Sequence, residues 1–145
     1  MTIIKRTYYS NGQIASEVWV QDKKIHRTDG PAIIFYYENG VVMQELYFQN
    51  GRRYRNNGPS LVSYYKNGLV ECEEHLQCDE LHCLDGPAII EYYPNGRVRH
   101  ESYWQYNNPC REGGGPVYID YNKDGSIKQA FYYIEGDFVP AEMFH

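Results

Sequence analysis

Apolar and aromatic residues alternate with polar ones over short segments, and turn-forming residues separate these segments along the whole chain. Residues 32–38 (AIIFYYE) and 41–48 (VVMQELYF) show the pattern, with Asn39-Gly40 between them. Val, Ile, Tyr and Phe are typical of half-buried strands, and an Asn-Gly pair between two such segments indicates a β-hairpin. No segment keeps an apolar period of 3.6 residues, so the sequence predicts an all-β chain.

This hairpin segment recurs with a period of 28 residues. Asn-Gly begins at positions 11, 39, 67 and 95, Gly-Pro begins at 30, 58 and 86, and the copies at Gly115-Pro116 and Asp124-Gly125 come one residue late. A tyrosine pair and a glutamate keep the same spacing. A fixed period of this length marks a repeat protein in which each unit packs mainly on its neighbours. We therefore expect one domain over residues 1–145, an elongated antiparallel β-sheet of about five hairpin repeats.

Turn chemistry predicts the local geometry of each repeat. Asn-Gly accepts positive φ at both central positions, so Gly40 and Gly68 are expected in two-residue type I′ turns. A second turn is predicted about a dozen residues later, at Gln21–Lys23, Asn50-Gly51, Gln77–Asp79 and Tyr106–Asn108. Proline cannot donate to a central ladder, so each Gly-Pro pair should begin a strand or mark a bend.

Period-two alternation assigns the two faces of the second long strand. The face expected to be buried carries Ile14, Val42, Val70, Val98 and Ile127, followed by Val20, Phe48, Leu76, Trp104 and Tyr133. The opposite, wetter face carries the glutamate ladder, Glu17, Glu45, Glu73 and Glu101, followed by Trp19, Tyr47, His75, Tyr103 and Tyr132. We predict that the aromatic stripe formed by Trp19, Tyr47, Tyr103 and Tyr132 is a binding surface, because tyrosine offers a large contact area and a hydroxyl.

The C-terminal segment departs from the repeat. Residues 137–145 are rich in apolar residues and include Pro140. The ends of a repeat array need protection, since an exposed sheet edge is a template for pairing. This segment is therefore predicted to be either an intramolecular cap or the contact of a homodimer, made by Phe138, Val139, Met143 and Phe144.

Composition narrows the class of partner and the compartment. The formal net charge of −5 argues against a nucleic-acid partner, which is bound mainly by releasing counterions from phosphates. The sequence has no apolar run of secretory or membrane-spanning length, so an intracellular, cytoplasmic protein is expected. Four cysteines, unevenly placed, fit free thiols better than a disulfide framework.

The recurring residues resemble a known family of repeats. The pattern is a tyrosine pair, Asn-Gly, a Glu-x-aromatic step, a second turn and then His-Arg-x-Asp-Gly-Pro-Ala, which is complete at residues 26–32 and partly kept at 82–88. Over roughly residues 4–136 it is similar to the degenerate MORN-variant repeats that are numerous in large DNA viruses and also occur in bacteria. This chain has Arg27, Arg55 and Arg111 where the better-known, shorter MORN repeat has glycine.

The resemblance implies a function without a catalytic site. MORN-type proteins are elongated β-sheet scaffolds that bind proteins, in some cases dimerise and in some cases contact phospholipid. A member of the viral group would act inside the infected cell or in the particle. No catalytic residue and no cofactor comes with the repeat itself.

A cluster of possible metal ligands lies in the third repeat. Five such residues fall within residues 72–83: Cys72, His75, Cys78, His82 and Cys83. Thiolates and imidazoles are zinc ligands, but the spacing is not that of a known zinc motif, and strand alternation places Cys72 and His75 on opposite faces. We therefore predict no metal, and the cysteines and histidines are interpreted as structural.

The charged residues receive a structural interpretation as well. A catalytic carboxylate pair is a single asymmetric site, whereas the glutamate recurs four times at even spacing. Each glutamate is expected to accept hydrogen bonds from a Tyr, Arg or backbone group of a neighbouring strand. The arginines are interleaved with acidic residues, which favours cross-strand ion pairs. The sequence thus predicts a non-enzymatic scaffold for a protein partner or a second copy, with a phospholipid-associated scaffold as the alternative.

Overall fold

The chain folds into a row of β-hairpins. The computed structural model describes the backbone of residues 1–144 and the side chains of residues 1–142. The strands are β1 (Thr2–Tyr8), β2 (Ile14–Gln21), β3 (Lys24–Ile25), β4 (Ile33–Tyr36), β5 (Val42–Leu46), β6 (Phe48–Gln49), β7 (Arg52–Arg53), β8 (Leu61–Tyr64), β9 (Val70–Glu74), β10 (Leu76–Gln77), β11 (Glu80–Leu81), β12 (Ile89–Tyr92), β13 (Val98–Ser102), β14 (Trp104–Gln105), β15 (Asn108–Pro109), β16 (Tyr118–Tyr121), β17 (Ile127–Ile134) and β18 (Asp137–Pro140), and a 3-10 helix covers Ala141–Phe144.

The long strands form one antiparallel sheet of 12 strands in the order β1-β2-β4-β5-β8-β9-β12-β13-β16-β17-β18, with β3 pairing to β2. Strands about 4.8 Å apart make this sheet about 50 Å long. The chain exposes 8853 Å² of accessible surface, whereas a compact monomer of this mass exposes about 7,800 Å². The predicted all-β, elongated antiparallel repeat array is confirmed.

Short hairpins form a second row beside the long sheet. They are β6-β7, β10-β11 and β14-β15, each a separate two-stranded sheet. Backbone hydrogen bonds join each hairpin to the one before it: Gly51 N–H donates to the Ile25 carbonyl (2.9 Å), and Asn107 N–H donates to the Leu81 carbonyl (2.9 Å). Each repeat is therefore attached to its neighbour through the long strands and through the short hairpins.

The Asn-Gly turn of each repeat does not have the predicted type. Positive φ occurs at Gly40 but not at Asn39, so the Asn-Gly turn is not type I′. The Gly40 N–H donates to the Tyr37 carbonyl (3.0 Å), and the Tyr37 N–H donates to the Val41 carbonyl (2.8 Å). This is a three-residue loop in which only the glycine needs the left-handed region. Asn39 keeps ordinary φ because its Oδ1 accepts the Val41 N–H at 3.0 Å.

Type I′ geometry belongs instead to the second turn of each repeat. Both central residues have positive φ in every copy: Asp22-Lys23, Asn50-Gly51, Cys78-Asp79, Tyr106-Asn107 and Glu135-Gly136. The locations predicted for these turns are correct. Strand register explains the type, because Gln21 pairs directly with Lys24 and leaves a loop of two residues.

The two faces of the sheet differ from the alternation prediction. Glu17 on the supposedly wetter face is 8% exposed, whereas Ile127 on the supposedly buried face is 61% exposed. A register shift in every long hairpin adds one residue to the second strand, as where Phe35 pairs with Gln44 but Tyr36 pairs with Val42. This bulge interrupts the alternation on which the prediction relied.

The core is thin and follows the Gly-Pro corners. The residue after each proline is buried in every copy: Ala32, Ser60 and Ala88 at 0% exposure and Val117 at 5%. Its amide and carbonyl both bond to strands on either side, as Ala32 does to Leu46 and Trp19 at 2.8 Å each. The side chain at this position is accordingly compact, Ala, Ser or Val, because the two neighbouring strands leave little space.

The C-terminal segment continues the repeat at the sheet's far end. Strand β18 pairs with β17, from Ile134 opposite Asp137 to Phe131 opposite Pro140. It thus takes the place of the short return strand β3 of the first repeat. The side chains of Met143 and Phe144 and the whole of His145 lie outside the described residues. No helix in the part of the chain that the structure describes is long and apolar enough to cross a membrane.

Candidate functional site

Each glutamate of the ladder accepts a hydrogen bond from a tyrosine of the next repeat. The hydroxyls of Tyr36, Tyr64, Tyr92 and Tyr121 donate to Oε1 of Glu17, Glu45, Glu73 and Glu101, each at 2.5 Å. Arg6 Nε adds an ion pair of 2.8 Å to Glu17. The prediction that these carboxylates accept hydrogen bonds from neighbouring strands is confirmed.

These contacts shift the pKa of both partners. Burial raises the pKa of Tyr36 to about 12, with the adjacent Glu17 carboxylate as the second cause. Burial also acts to raise the pKa of Glu17, but the hydrogen bonds from Tyr36 and Arg6 outweigh it, so that pKa lies below its usual value. Glu17 is therefore ionised and Tyr36 neutral near pH 7, the protonation states that this hydrogen bond requires.

The second tyrosine of each pair connects repeats in the other direction. The hydroxyls of Tyr9, Tyr37, Tyr65 and Tyr93 donate to the backbone carbonyls of Tyr36, Tyr64, Tyr92 and Tyr121 at 2.5–2.7 Å. Adjacent tyrosines thus bond to the repeat before and the repeat after. The regular tyrosines of this face are structural connections between repeats.

A row of arginines covers the aromatic stripe. The guanidiniums of Arg27, Arg55 and Arg111 lie 4.0–4.1 Å from the ring centres of Trp19, Tyr47 and Tyr103. Cation–π contacts of this kind contribute about 0.5–1 kcal/mol at exposed sites. Three of the four residues predicted as the aromatic binding stripe are therefore partly covered by arginine.

The same arginines bind the Gly-Pro corner. Arg27, Arg55 and Arg111 each donate from Nη1 to the proline carbonyl of their own repeat, at 3.0–3.1 Å. A Cβ on Gly30 would lie 2.9 Å from Arg27 Cζ, so a larger residue there would displace the guanidinium. Asp29 accepts from Arg27 Nε at 2.8 Å. The Arg-x-Asp-Gly-Pro motif at residues 27–31 therefore encodes a guanidinium held between a ring, a carboxylate and a carbonyl, and Arg55 and Arg111 keep the ring and the carbonyl.

Sequence reasoning missed this row, although the chain contained a signal for it. An arginine follows the aromatic residue by eight positions in three repeats. In the third repeat both members change together, to His75 and Cys83. Such a paired change within one chain indicates contact. Tyr132, the fourth residue of the stripe, lies on β17 opposite Val139, and Pro140 is at the arginine position of its repeat.

The third repeat has a cavity where its arginine would lie. Cys83 Sγ donates to Asp85 Oδ1 at 3.3 Å, in place of the arginine. The cavity has a volume of about 520 Å³ and its lining includes His75, His82 and Asp85. The corresponding groove at the preceding repeats, which includes Arg27 and Arg55, measures about 350 Å³.

The cysteine and histidine cluster is spread around this repeat. Cys72 lies within β9 opposite Ser63 and Glu91, whereas Cys78 lies in the exposed turn. The His82 ring packs on Tyr106 with 4.2 Å between centres. Among the described residues, no group of three or more His, Cys, Asp or Glu side chains is placed to hold a metal ion.

Two basic residues of β13, Arg99 and His100, each pair with a carboxylate of a neighbouring strand. Arg99 Nη2 donates to Glu91 Oε1 at 2.5 Å, and His100 Nδ1 lies 2.6 Å from Asp120 Oδ1. The predicted pairing of opposite charges is thus found at Arg99 and His100, whereas Arg55 and Arg97 donate to backbone carbonyls. Such pairs on an exposed sheet contribute less than about 1 kcal/mol each.

The two ends of the sheet are unlike. All seven residues of β1 are exposed, and one edge of β1 pairs with no strand among the described residues. Its apolar residues include Ile3 at 51% and Tyr8 at 61% exposure. At the other end, Phe138 packs on Tyr118 and Tyr133 with 4.9 Å between ring centres in both cases.

A family model described as MORN repeat variant matches residues 1–18 and residues 33–50 of the chain. These stretches contain the β1-β2 and β4-β5 hairpins with their Asn-Gly turns. No curated protein and no solved structure is significantly similar to the chain. The same hairpin, tyrosine–glutamate contact and Gly-Pro corner continue beyond the matched stretches, and together with the match they support a degenerate MORN repeat protein.

Proposed function

We propose that the chain is a non-enzymatic scaffold that binds a protein partner, which adds an extended strand to the edge of β1. The observation that carries this proposal is the exposed edge of β1, seven residues long and fully paired to β2 on its inner side. Strand addition gains affinity from main-chain hydrogen bonds and specificity from alternate side chains.

The properties of the two ends support the choice of β1. Natural sheets protect their edges by short strands, prolines and inward charges. At the far end β18 has four residues and ends in Pro140, which has no N–H to donate. Strand β1 is longer and has no proline, and beside its two charges, Lys5 and Arg6, the exposed Ile3 and Ile4 offer an apolar surface along the unpaired backbone.

A non-enzymatic role is supported by the contacts of the glutamates. The four carboxylates that could serve as acids or bases are each hydrogen-bonded to a tyrosine in the same way. Catalytic pairs instead have two carboxyl groups in different environments. The virus-borne origin and the intracellular site of action that the family resemblance implies belong to the same proposal.

The test is quantitative capture of partners from a host-cell lysate by the full chain and by two matched variants. Ile3→Lys places a charge on the β1 edge, and Ile127→Lys places the same charge on a comparably exposed isoleucine of β17, at 51% and 61% exposure. We expect Ile3→Lys to lose the captured protein and Ile127→Lys to retain it. Equal capture by both variants would refute docking at β1.

A homodimer through the C-terminal segment is a second candidate, favoured by the 46% exposure of Phe138. The contact would use Phe138, Val139, Met143 and Phe144. Light scattering of the intact chain tests it, with a Phe138→Ser variant as the comparison. A monomer at micromolar concentration in the intact chain contradicts the dimer. Sedimentation with anionic vesicles, unaffected by Ile3→Lys, would instead support the phospholipid-associated alternative.

A further inference from the structure

The third repeat retains the backbone arrangement of the other repeats around its arginine position. His75 N–H donates to the Ala88 carbonyl at 2.7 Å, as Trp19 N–H does to Ala32 at 2.8 Å. His82 N–H donates to the His75 carbonyl at 3.1 Å, as His26 N–H does to Trp19 at the same distance. The change from arginine to Cys83 therefore removes a side chain without rebuilding the main chain.

The groups that bind a guanidinium in the intact repeats have counterparts here. Asp85 lies two periods after Asp29, which accepts from Arg27 at 2.8 Å. The Pro87 carbonyl corresponds to the carbonyls of Pro31, Pro59 and Pro116, which accept from the arginines. His75 supplies a ring at the position of Trp19, Tyr47 and Tyr103.

The space for a guanidinium is also present. A Cβ added to Gly86 would meet no atom within 4 Å, whereas one on Gly30, Gly58 or Gly115 would meet the arginine at 2.9–3.2 Å. The cavity of about 520 Å³ is lined by Cys83 and Asp85, immediately before Gly86 in the chain. Arg55 also lines the cavity and could repel a second guanidinium. The neighbouring groove, however, is lined by both Arg27 and Arg55, so two guanidiniums one repeat apart can share a groove.

We infer that this cavity binds the side chain of an arginine carried by a protein partner, with the guanidinium over His75 and paired to Asp85. The inference rests on the proposed scaffold function and names a second contact for its partner. Burial lowers the pKa of His75, so its ring is neutral near pH 7 and does not repel the cation. The net charge of −5 also favours a cationic ligand.

A peptide-borne arginine fits this cavity better than the free amino acid. Free arginine carries a charged α-ammonium and a charged α-carboxylate, both of which lose water on binding, whereas a peptide bond has no charge. Leu84 lies at the rim with 57% exposure and offers an apolar contact to the partner chain next to the arginine. Lysine is a poorer ligand because an ammonium cannot stack flat on a ring and bond to two acceptors in one plane.

The test is a titration of the ¹⁵N-labelled full chain with N-acetyl-arginine N-methylamide, followed by NMR. We expect saturable shifts of the His75, Cys83 and Gly86 amides. The lysine analogue and free arginine should bind at least about threefold more weakly, because each lacks one feature of the ligand. Cys83→Arg supplies the guanidinium from the chain itself and should abolish the shifts, whereas Cys110→Arg, on an exposed cysteine, should leave them unchanged.

Unsaturated shifts, or equal shifts in Cys83→Arg, would overturn the inference. Saturable shifts of the same amides with inorganic phosphate, and not with the arginine probe, would also overturn it and assign an anion site to Arg55, His75 and His82. The titration contains no partner protein, so its result is independent of the capture experiment with Ile3→Lys. Failure of one therefore cannot be mistaken for failure of the other.

Discussion

At the scale of single residues, the repeated motif encodes a small set of contacts that recur along the chain. In Arg-x-Asp-Gly-Pro at residues 27–31, the arginine stacks on a ring, the aspartate pairs with its charge and the glycine leaves room for it; the stacking recurs at Arg55 and Arg111. The sequence predicted the glutamate contacts because a fourfold repetition is incompatible with a single catalytic site. It did not predict the arginine row. The alternation of apolar and polar residues assigns the two faces of one strand, and it gives no information on residues eight positions apart on the two sides of a turn.

Replacement of Arg55 tests the energetic role of the row. Arg55→Ala removes both the stacking on Tyr47 at 4.0 Å and the hydrogen bond to Pro59 at 3.1 Å. We expect a loss of about 1–2 kcal/mol in the free energy of unfolding, measured by urea titration. Arg52→Ala, on the exposed side of the adjacent short hairpin, is the matched control and should change it by less than about 0.5 kcal/mol. Similar losses in the two variants would show that the arginine contact contributes nothing specific.

At the scale of strands and turns, the sequence located nearly every element but predicted the wrong type for the Asn-Gly turn and no type for the second turn. Asn-Gly is compatible with type I′ and also with a three-residue loop, and the choice between them depends on strand register. Register in turn depends on the bulge in each long hairpin, as where Ser63 pairs with Cys72 but Tyr64 with Val70. The bulged residue of the second strand has no recognisable sequence signal, because it is Ala, Met, Glu, Arg or Lys in the five copies. The faces were misassigned for the same reason.

A pair of glycine substitutions tests the revised turn. Gly68 has φ of +90°, Gly86 lies outside the left-handed region, and an added Cβ at either one would meet no atom within 4 Å. Only backbone conformation therefore distinguishes the two sites. Gly68→Ala should lower the free energy of unfolding by about 1 kcal/mol, because Ala is strained at positive φ. Gly86→Ala should be neutral or slightly stabilising, and equal thermal midpoints for both variants would contradict the turn geometry.

At the scale of the whole molecule, the array is a single layer whose repeats contact mainly their neighbours. The period alone predicted this architecture, because a unit that cannot bury its own face must stack on copies of itself. It could not predict the identity of the partner. The exposed edge of β1 and the cavity beside Cys83 are two positions at which one repeat departs from the pattern of the others. Those differences are the source of both functional proposals.

Because of the tyrosine–glutamate contacts, the whole array is expected to lose stability as the pH becomes alkaline. Burial, and then the adjacent carboxylate, raises the pKa of Tyr36 from 10.0 to about 12, and the pKa values of Tyr64, Tyr92 and Tyr121 are raised for the same reasons. Because the folded pKa is above the unfolded one, the unfolded chain loses these protons first as pH rises. The stabilisation is complete below pH 10 and is lost as pH rises towards 12.

We therefore expect the urea midpoint to fall steeply between pH 10 and 12 while tyrosinate absorbance rises in the same transition. Glu45→Gln removes the carboxylate beside Tyr64 and should make the decline shallower, although the variant is less stable at neutral pH. Glu38→Gln changes the net charge equally at an exposed residue and should keep the steepness of the natural chain. If both variants follow the same curve as the natural chain, general charge repulsion rather than the tyrosine–glutamate contacts governs alkaline unfolding.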